Sequence, residues 1–176
     1  MKKVIALVMT IALLLGAAAA VAENAQVKVT NWADYEEAAK NVGGEFVSIP
    51  DSNLKVFVPK GWEEVKETDH FVLRTAGVDE KDPAFCILSV QKQEINLDTF
   101  AAMLQKTNPA CLGSEQLNGA NIIGYELVDV NGIKAQGIAF SADNGAHTLT
   151  VSLAPVSEAN AKTVELIKAS VQPAAN

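Results

Sequence analysis

Residues 117–154, LNGANIIGYELVDVNGIKAQGIAFSADNGAHTLTVSLA, decide the fold. An Asn-Gly pair stands between apolar runs at 118–119, 131–132 and 144–145. Asn and Gly readily adopt the positive φ angles of the type I′ turns that join antiparallel strands. Three such signals at a constant spacing of 13 residues predict a meander of four strands, at about 113–118, 120–128, 133–141 and 146–154.

Further strands and helices are predicted on both sides of the meander. Short segments rich in apolar residues predict strands at 46–49, 54–58, 70–76 and 85–94. Apolar residues at spacings of three and four predict helices from Asn31 to about Val42, over 97–107, and after a cap at Ser157. Because neighbouring strands follow one another along the chain, we expect the α+β class, with an antiparallel β-sheet covered by helices.

The stretch KVFVPKGWEEV, residues 55–65, combines a strand with Pro59, Gly61 and Trp62. Proline cannot donate a ladder hydrogen bond, so Pro59 is expected to end the strand, and Gly61 gives the backbone freedom to turn. The preferred interpretation places Trp62 over the edge of the core. The alternative is an exposed ring on which a ligand stacks.

The first residues have the pattern of a signal peptide. Lys2 and Lys3 precede an apolar run that ends in Ala20-Val21-Ala22, the small residues that a signal peptidase reads. The run is also long enough for a transmembrane anchor. Its Ala-rich second half, with no positive charge after it, favours cleavage after Ala22. We therefore expect a secreted, soluble, extracytoplasmic protein with no membrane span after the signal is removed.

Length and charge narrow the possible functions. We expect a signal peptide at 1–22, an N-terminal helical segment at 23–44, a single domain at 45–172 and a short tail at 173–176. The formal charge is −7, and loss of Lys2 and Lys3 with the signal takes it to −9. Nucleic acids and anionic membrane surfaces bind through clustered Lys and Arg, so this acidity disfavours both as partners.

No catalytic, cofactor-binding or metal-binding residue is predicted. His70 and His147 are the two histidines; a triad of Cys86, His147 and Asp143 can be written down, but there is no G-x-S-x-G elbow. Zinc spacing, a complete calcium loop and a phosphate-binding glycine loop are also missing. A pair of carboxylates acting as a glycosidase stays open. Cys86 and Cys111 form either one disulfide or two buried thiols, and the sequence favours neither.

The order of these elements resembles the PsbP-like superfamily. The resemblance rests on a strand leading into VPKGW (58–62), a later helix beginning LDTFAAML (97–104), an Asn-Gly turn before YELVDVNG (125–132), and a closing strand, proline, serine and helix. It covers about residues 45–172. That family includes the extrinsic P subunit of photosystem II and exported bacterial proteins. The resemblance implies an α/β/α sandwich around a central antiparallel sheet and a non-catalytic, partner-binding role, and no functional residue of the family carries over.

Two functions from different classes remain. The first is an exported non-enzymatic binding or adapter domain that docks a protein or cell-envelope component, with Trp62, Trp32 and Tyr35 as candidate anchors. Its surface would be a sheet face, a groove under a helix, or the hairpin tips near Asn131 and Asn144. The alternative is a small secreted hydrolase acting on cell-wall glycan or peptide.

Overall fold

The computed structural model describes residues 31–66, 70–107, 113–118, 120–129 and 131–174. The predicted signal peptide and Cys111 lie outside these residues. Within the described ranges, no helix has both the length and the apolar character needed to cross a bilayer.

Two antiparallel sheets form the framework. The smaller sheet has the order β1-β2-β10 and consists of β1 (Gly44–Ser48), β2 (Leu54–Pro59) and β10 (Gln172–Pro173). The main sheet contains seven strands: β3 (Trp62–Glu64), β4 (Phe71–Thr75), β5 (Ile87–Gln93), β6 (Gly113–Leu117), β7 (Ala120–Val128), β8 (Lys134–Ala142) and β9 (His147–Ala154). Their order across the sheet is β3-β4-β5-β9-β8-β7-β6.

The helices are α1 (Glu36–Val42), α2 (Leu97–Thr107) and α3 (Ala161–Ser170). Helices α2 and α3 cover opposite faces of the main sheet, whereas α1 packs through Ala39 against β2 and α3. On one face, Val164 and Ile167 of α3 and Val56 of the small sheet join the largest core cluster with main-sheet residues such as Val151. On the other face, α2 buries Phe100 and Leu104 against β7 and β8. The predicted α+β class, an antiparallel sheet covered by helices, is confirmed.

The meander forms as predicted, with β6 to β9 beginning and ending within about one residue of the expected positions. At its first turn, Asn118 has φ 48° between the paired residues Leu117 and Ala120, as a two-residue hairpin requires. The two-residue turn is wrong for the other hairpins, whose loops span 129–133 and 143–146. In the first of these, the Asp129 carboxylate accepts hydrogen bonds from the backbone N–H groups of Asn131 and Ile133, both at 2.8 Å, and so fixes a longer loop.

The first predicted helix is divided. A short 3₁₀ helix covers Trp32–Asp34, α1 follows, and Gly43 ends α1 with φ 71°, as expected. Asn31 makes no side-chain cap. Its Oδ1 instead accepts the backbone N–H of Asn118 at 3.0 Å. A contact this distant in sequence takes the side chain away from the capping role that local pattern assigns to it.

The last helix begins at Ala161, and Ser157 caps the turn that leads into it: the Ser157 backbone oxygen accepts the N–H of Ala161 at 2.9 Å, and its Oγ accepts the N–H of Asn160 at 3.4 Å. Asn160 orders the turn before the helix: its Oδ1 accepts the N–H of Ser157 at 2.9 Å. Its Nδ2 donates to the carbonyls of Phe85 and Pro155, each at 2.9 Å. The turn is therefore held both by the local cap at Ser157 and by the bond from Asn160 to Phe85, which local pattern does not contain.

Asn118 connects three segments that are far apart in the chain. Its Nδ2 donates to the carbonyl oxygens of Ala169 at 3.0 Å and Val171 at 2.8 Å, at the end of α3. Its Oδ1 accepts the N–H of Trp32 at 3.2 Å. Just beyond α3, Pro173 pairs with Leu54, so the residue expected to begin the tail belongs to β10.

A row of two serines, a glycine and a tyrosine crosses the main sheet beneath α2. Ser89, Ser152, Gly137 and Tyr125 are cross-strand neighbours on β5, β9, β8 and β7. The Tyr125 ring lies over Gly137, and its hydroxyl hydrogen-bonds Ser152 Oγ at 2.6 Å. Burial raises the pKa of Tyr125 to about 12. The Oγ of Ser89 is buried and makes no hydrogen bond within the described part of the chain.

Lys168 of α3 is buried, with 1% of its surface exposed. Its Nζ donates to Glu165 Oε1 at 2.7 Å and to Gln136 Oε1 at 2.8 Å. Gln136 in turn donates through Nε2 to Glu126 Oε2 at 2.9 Å. This chain of hydrogen bonds joins α3 to β8 and β7.

Candidate functional site

A groove of about 1090 Å³ opens at one end of the main sheet, between the β1–β2 turn and the β8–β9 hairpin. We call it the sheet-end groove. Apolar side chains of the two sheets contribute one part of its lining: Leu54, Ala120, Phe140, Ala142, Leu149 and Pro173. Polar and charged side chains contribute another: Asp51, Ser52, Asn53, Lys92, Asn121, Ser141, Asp143 and Asn144.

Charged side chains hold the β8–β9 hairpin against β5 beside this groove. Asp143 Oδ2 forms an ion pair with Lys92 Nζ and contacts His147 Nδ1 at 2.8 Å. His147 Nε2 lies 3.0 Å from Glu94 Oε2. The hydrogen bond from Lys92, and after it the bond from His147, lowers the pKa of Asp143, and the same Asp143 bond raises the pKa of Lys92. The hairpin tip at Asn144 is thus anchored by a connected set of charges.

Replacing Lys92 by Gln is expected to raise the pKa of the Asp143 carboxyl toward its ordinary value, because the largest cause of its lowering is removed. Because the pKa of Asp143 is lower in the folded than in the unfolded protein, the ionised carboxylate stabilises the fold at pH values above the unfolded pKa. This stabilisation is lost as the pH falls through the pKa of the folded state. Carbon NMR titration of Asp143 measures the change. Lys134→Gln serves as the control, and an unchanged Asp143 midpoint in Lys92→Gln would contradict the assignment.

The candidate triad does not assemble. Cys86 precedes the first residue pair of β5 and β9, Ile87↔Ala154, whereas His147 precedes the last, Gln93↔Thr148. Eight residues at about 3.3 Å each separate the two positions along the strands, so the two side chains are ~26 Å apart. His147 also faces a carboxylate with each ring nitrogen, so neither nitrogen is available to take a proton from a nucleophile.

The Cys86 side chain is buried in the main core and is a free thiol in this structure. Burial, offset in part by hydrogen bonds to the backbone, raises its pKa to about 12. The predicted pairing with Cys111 stays a prediction, because Cys111 lies outside the described residues. Within those residues, no group of three or more His, Cys, Asp or Glu side chains is placed to hold a metal ion.

Iodoacetamide at about pH 8 is expected to leave Cys86 unmodified in the native protein, because a buried thiol with a raised pKa supplies almost no thiolate. Peptide mass spectrometry locates the label. After denaturation without a reductant, labelling of Cys86 indicates a free thiol, and labelling only after reduction indicates a disulfide. Rapid modification of Cys86 in the folded protein would contradict its burial.

The three predicted anchor residues lie in two places. Trp32 packs against Phe46 and Phe57, with ring centroids 5.1 and 5.4 Å away. Tyr35 lines a second groove of about 370 Å³ between α1 and α3. Strand β2 ends at Pro59 and the chain turns at Gly61, which has φ 90°, as the sequence predicted; Trp62 then begins β3 and packs half-buried against the main core. Their roles as anchors remain predictions.

Sequence analysis missed most of the sheet-end groove. Asn144 was noted as a hairpin tip, whereas Lys92 and Asn53 were not singled out. The groove forms from segments brought together by the β5–β9 pairing and the small sheet. A pattern of isolated polar residues at strand ends was the one signal that could have indicated it.

No protein-family model matches this chain, and no curated protein sequence matches it. Among solved structures, it is similar to a protein from Bacteroides thetaiotaomicron VPI-5482, with 13% identity and a TM-score of 0.48 over 74% of this chain and 48% of that one. The chain thus spans about half the length of that protein. It is also similar to cyanobacterial PsbP (CyanoP) from Synechocystis sp. PCC 6803, with 16% identity and a TM-score of 0.47 over 75% of this chain and 93% of that one.

Proposed function

We propose that this chain is an exported, soluble, non-enzymatic binding domain that docks a protein or cell-envelope component in the sheet-end groove. The observation that carries the proposal is the groove itself, about 1090 Å³ with apolar and polar side chains side by side. Binding sites combine apolar surface with a few placed polar groups in this way. The pattern of a signal peptide at residues 1–22 supports export.

The polar lining has hydrogen-bonding capacity to offer a ligand. Within the described part of the chain, the side chains of Asn53, Ser141 and Asn144 make no hydrogen bonds. An amide side chain can donate and accept, and a hydroxyl can do both. A protein segment or an envelope glycan presents matching groups, so these three side chains suit either class of component.

The β8–β9 tip is held in place before any ligand arrives. Asn144 has φ 55°, and its neighbour Asp143 is fixed by Lys92 and His147. A loop that is already ordered loses less conformational entropy when it binds. The hydrolase alternative gains no support from the same residues, since both nitrogens of His147 face carboxylates.

The test is a pull-down from envelope and culture fractions of the host, with the purified protein immobilised. Asn53→Trp should fill the groove, because Asn53 is exposed and lines it. Asn131→Trp makes the same change at an exposed tip outside the groove. We expect a saturable partner that is lost with Asn53→Trp and kept with Asn131→Trp, while thermal unfolding shows both variants folded. No saturable partner, or one that both variants keep, would overturn the proposal.

A further inference from the structure

Strand β1 leaves one backbone edge open. Within the described residues it pairs with β2 alone. The N–H of Lys60 donates to Gly43 O and the N–H of Ile49 donates to Leu54 O, both at 2.9 Å. Hydrogen-bonded and non-bonded positions alternate along an antiparallel pair. The N–H and C=O groups of residues 44, 46 and 48 therefore point away from β2.

This edge differs from two other strand edges of the protein. Strand β10 has two residues, one of them Pro173, and β3 has three, including Glu63 and Glu64. Short length, proline and charge are the devices that protect sheet edges from pairing. Strand β1 is five residues long, GEFVS, with no proline and one charged residue, Glu45, whereas β3 has two charged residues among three. Its edge is open to an added strand.

Apolar surface accompanies the open edge. Among the described residues, Val42 and Phe46 are the exposed large hydrophobics, at 46% and 36%. Phe46 is the central residue of β1, and Val42 ends α1 two residues before that strand. Trp32 and Phe57 hold the Phe46 ring by edge contacts. Val42 also lines the groove between α1 and α3.

The charge beside Phe46 is positive, although the protein as a whole is acidic. Lys55 Nζ lies 4.9 Å from the centroid of the Phe46 ring. Lys55 forms no ion pair with a carboxylate in the described ranges. Successive side chains of a strand point to opposite faces, so Glu45 lies on the face away from Phe46.

We propose that the free edge of β1 binds an extended segment of a partner protein by strand addition. The segment hydrogen-bonds the outward groups of residues 44, 46 and 48, places an apolar side chain against Phe46, and places an acidic side chain near Lys55. Main-chain hydrogen bonds supply affinity in this mode of recognition, and alternate side chains supply specificity. None of the residues involved lines the sheet-end groove, so this surface stands or fails independently of the proposed function.

A phage-displayed library of random peptides of about nine residues, long enough to span β1 at ~3.3 Å per residue, is the probe. Peptides selected on the purified protein are measured against three variants. Ser48→Pro removes an outward N–H, which an edge strand tolerates. Lys55→Glu reverses the charge beside Phe46. Lys81→Glu makes the same charge change on an exposed loop and is the matched control.

We expect selected peptides to carry Asp or Glu next to β-branched or aromatic residues. Their binding should weaken about tenfold or more with Ser48→Pro and Lys55→Glu and stay unchanged with Lys81→Glu. Thermal unfolding establishes that each variant is folded. The proposal is overturned if no peptide is enriched or if all three variants bind equally. It is also overturned if sedimentation shows self-association that Ser48→Pro abolishes, because a second copy then occupies the edge.

Discussion

Gly137→Ala is expected to lower the free energy of unfolding by about 3 kcal/mol. A Cβ at position 137 would lie 2.4 Å from Cζ and 2.5 Å from the hydroxyl oxygen of Tyr125. Tyr125 is buried, so its ring can move aside only by disturbing the packing under α2 and by breaking the bond to Ser152. Overpacking and a lost buried hydrogen bond each contribute about 1–3 kcal/mol. Urea unfolding measures the loss.

A double-mutant cycle separates this contact from a general effect on β8. In a Tyr125→Ala background the ring is absent, and the further change Gly137→Ala should alter stability by less than about 0.5 kcal/mol. Ser89→Ala is a control in the same row, because the Ser89 hydroxyl is already buried without a partner in the described chain. That variant should be neutral or slightly stabilising. Additive effects of Gly137→Ala and Tyr125→Ala would show that the ring does not restrict position 137.

Lys168→Ala is expected to destabilise the fold by about 3 kcal/mol. The substitution leaves a cavity where the buried alkyl chain packed, and it deprives Gln136 and Glu165 of their common donor. Lys168→Met keeps the length of the side chain and removes the amine. Because a buried charge also loses hydration on folding, Lys168→Met should change stability by about 1 kcal/mol or less.

Chemical denaturation of the two Lys168 variants distinguishes packing from charge. If Lys168→Met is as damaging as Lys168→Ala, the hydrogen bonds of the amine and not its alkyl chain hold α3 in place. Glu126→Gln is a useful companion, since Glu126 contacts Gln136 and not Lys168 itself. It should have a smaller effect than Lys168→Ala, because the lysine keeps both of its acceptors.

The elements that sequence reasoning predicted well are those with a complete local signal. The meander from β6 to β9 carries Asn-Gly at each turn, and α2 has the bounds that its apolar spacing indicates. Where a prediction rested on a single side chain, that side chain can bond to a residue distant in sequence instead. The side chain of Asn31, predicted as a helix cap, instead accepts the backbone N–H of Asn118. Strand β3 and strand β10 are too short to have a period of their own.

The candidate surfaces were harder to predict than the fold. The sheet-end groove brings together residues from 51 to 173, and its shape follows from the strand order, which local pattern does not determine. Phe46 reads as an ordinary apolar strand residue. It is partly exposed because β1 lies at the edge of the small sheet, a position that depends on the pairing of β2 with β10.

The central place of β9 has a consequence for the order in which the molecule can form. Strands β5 and β8 both pair with β9, so β3–β5 and β6–β8 remain two separate pieces until residues 147–154 are available. The largest core cluster also needs Val164, Ile167 and Val171, which come later still. Contacts between residues so far apart in sequence make folding slow. During synthesis, most of the chain cannot complete its fold until the C-terminal residues are available. Until then it stays unfolded, the state in which a polypeptide can pass through a narrow pore.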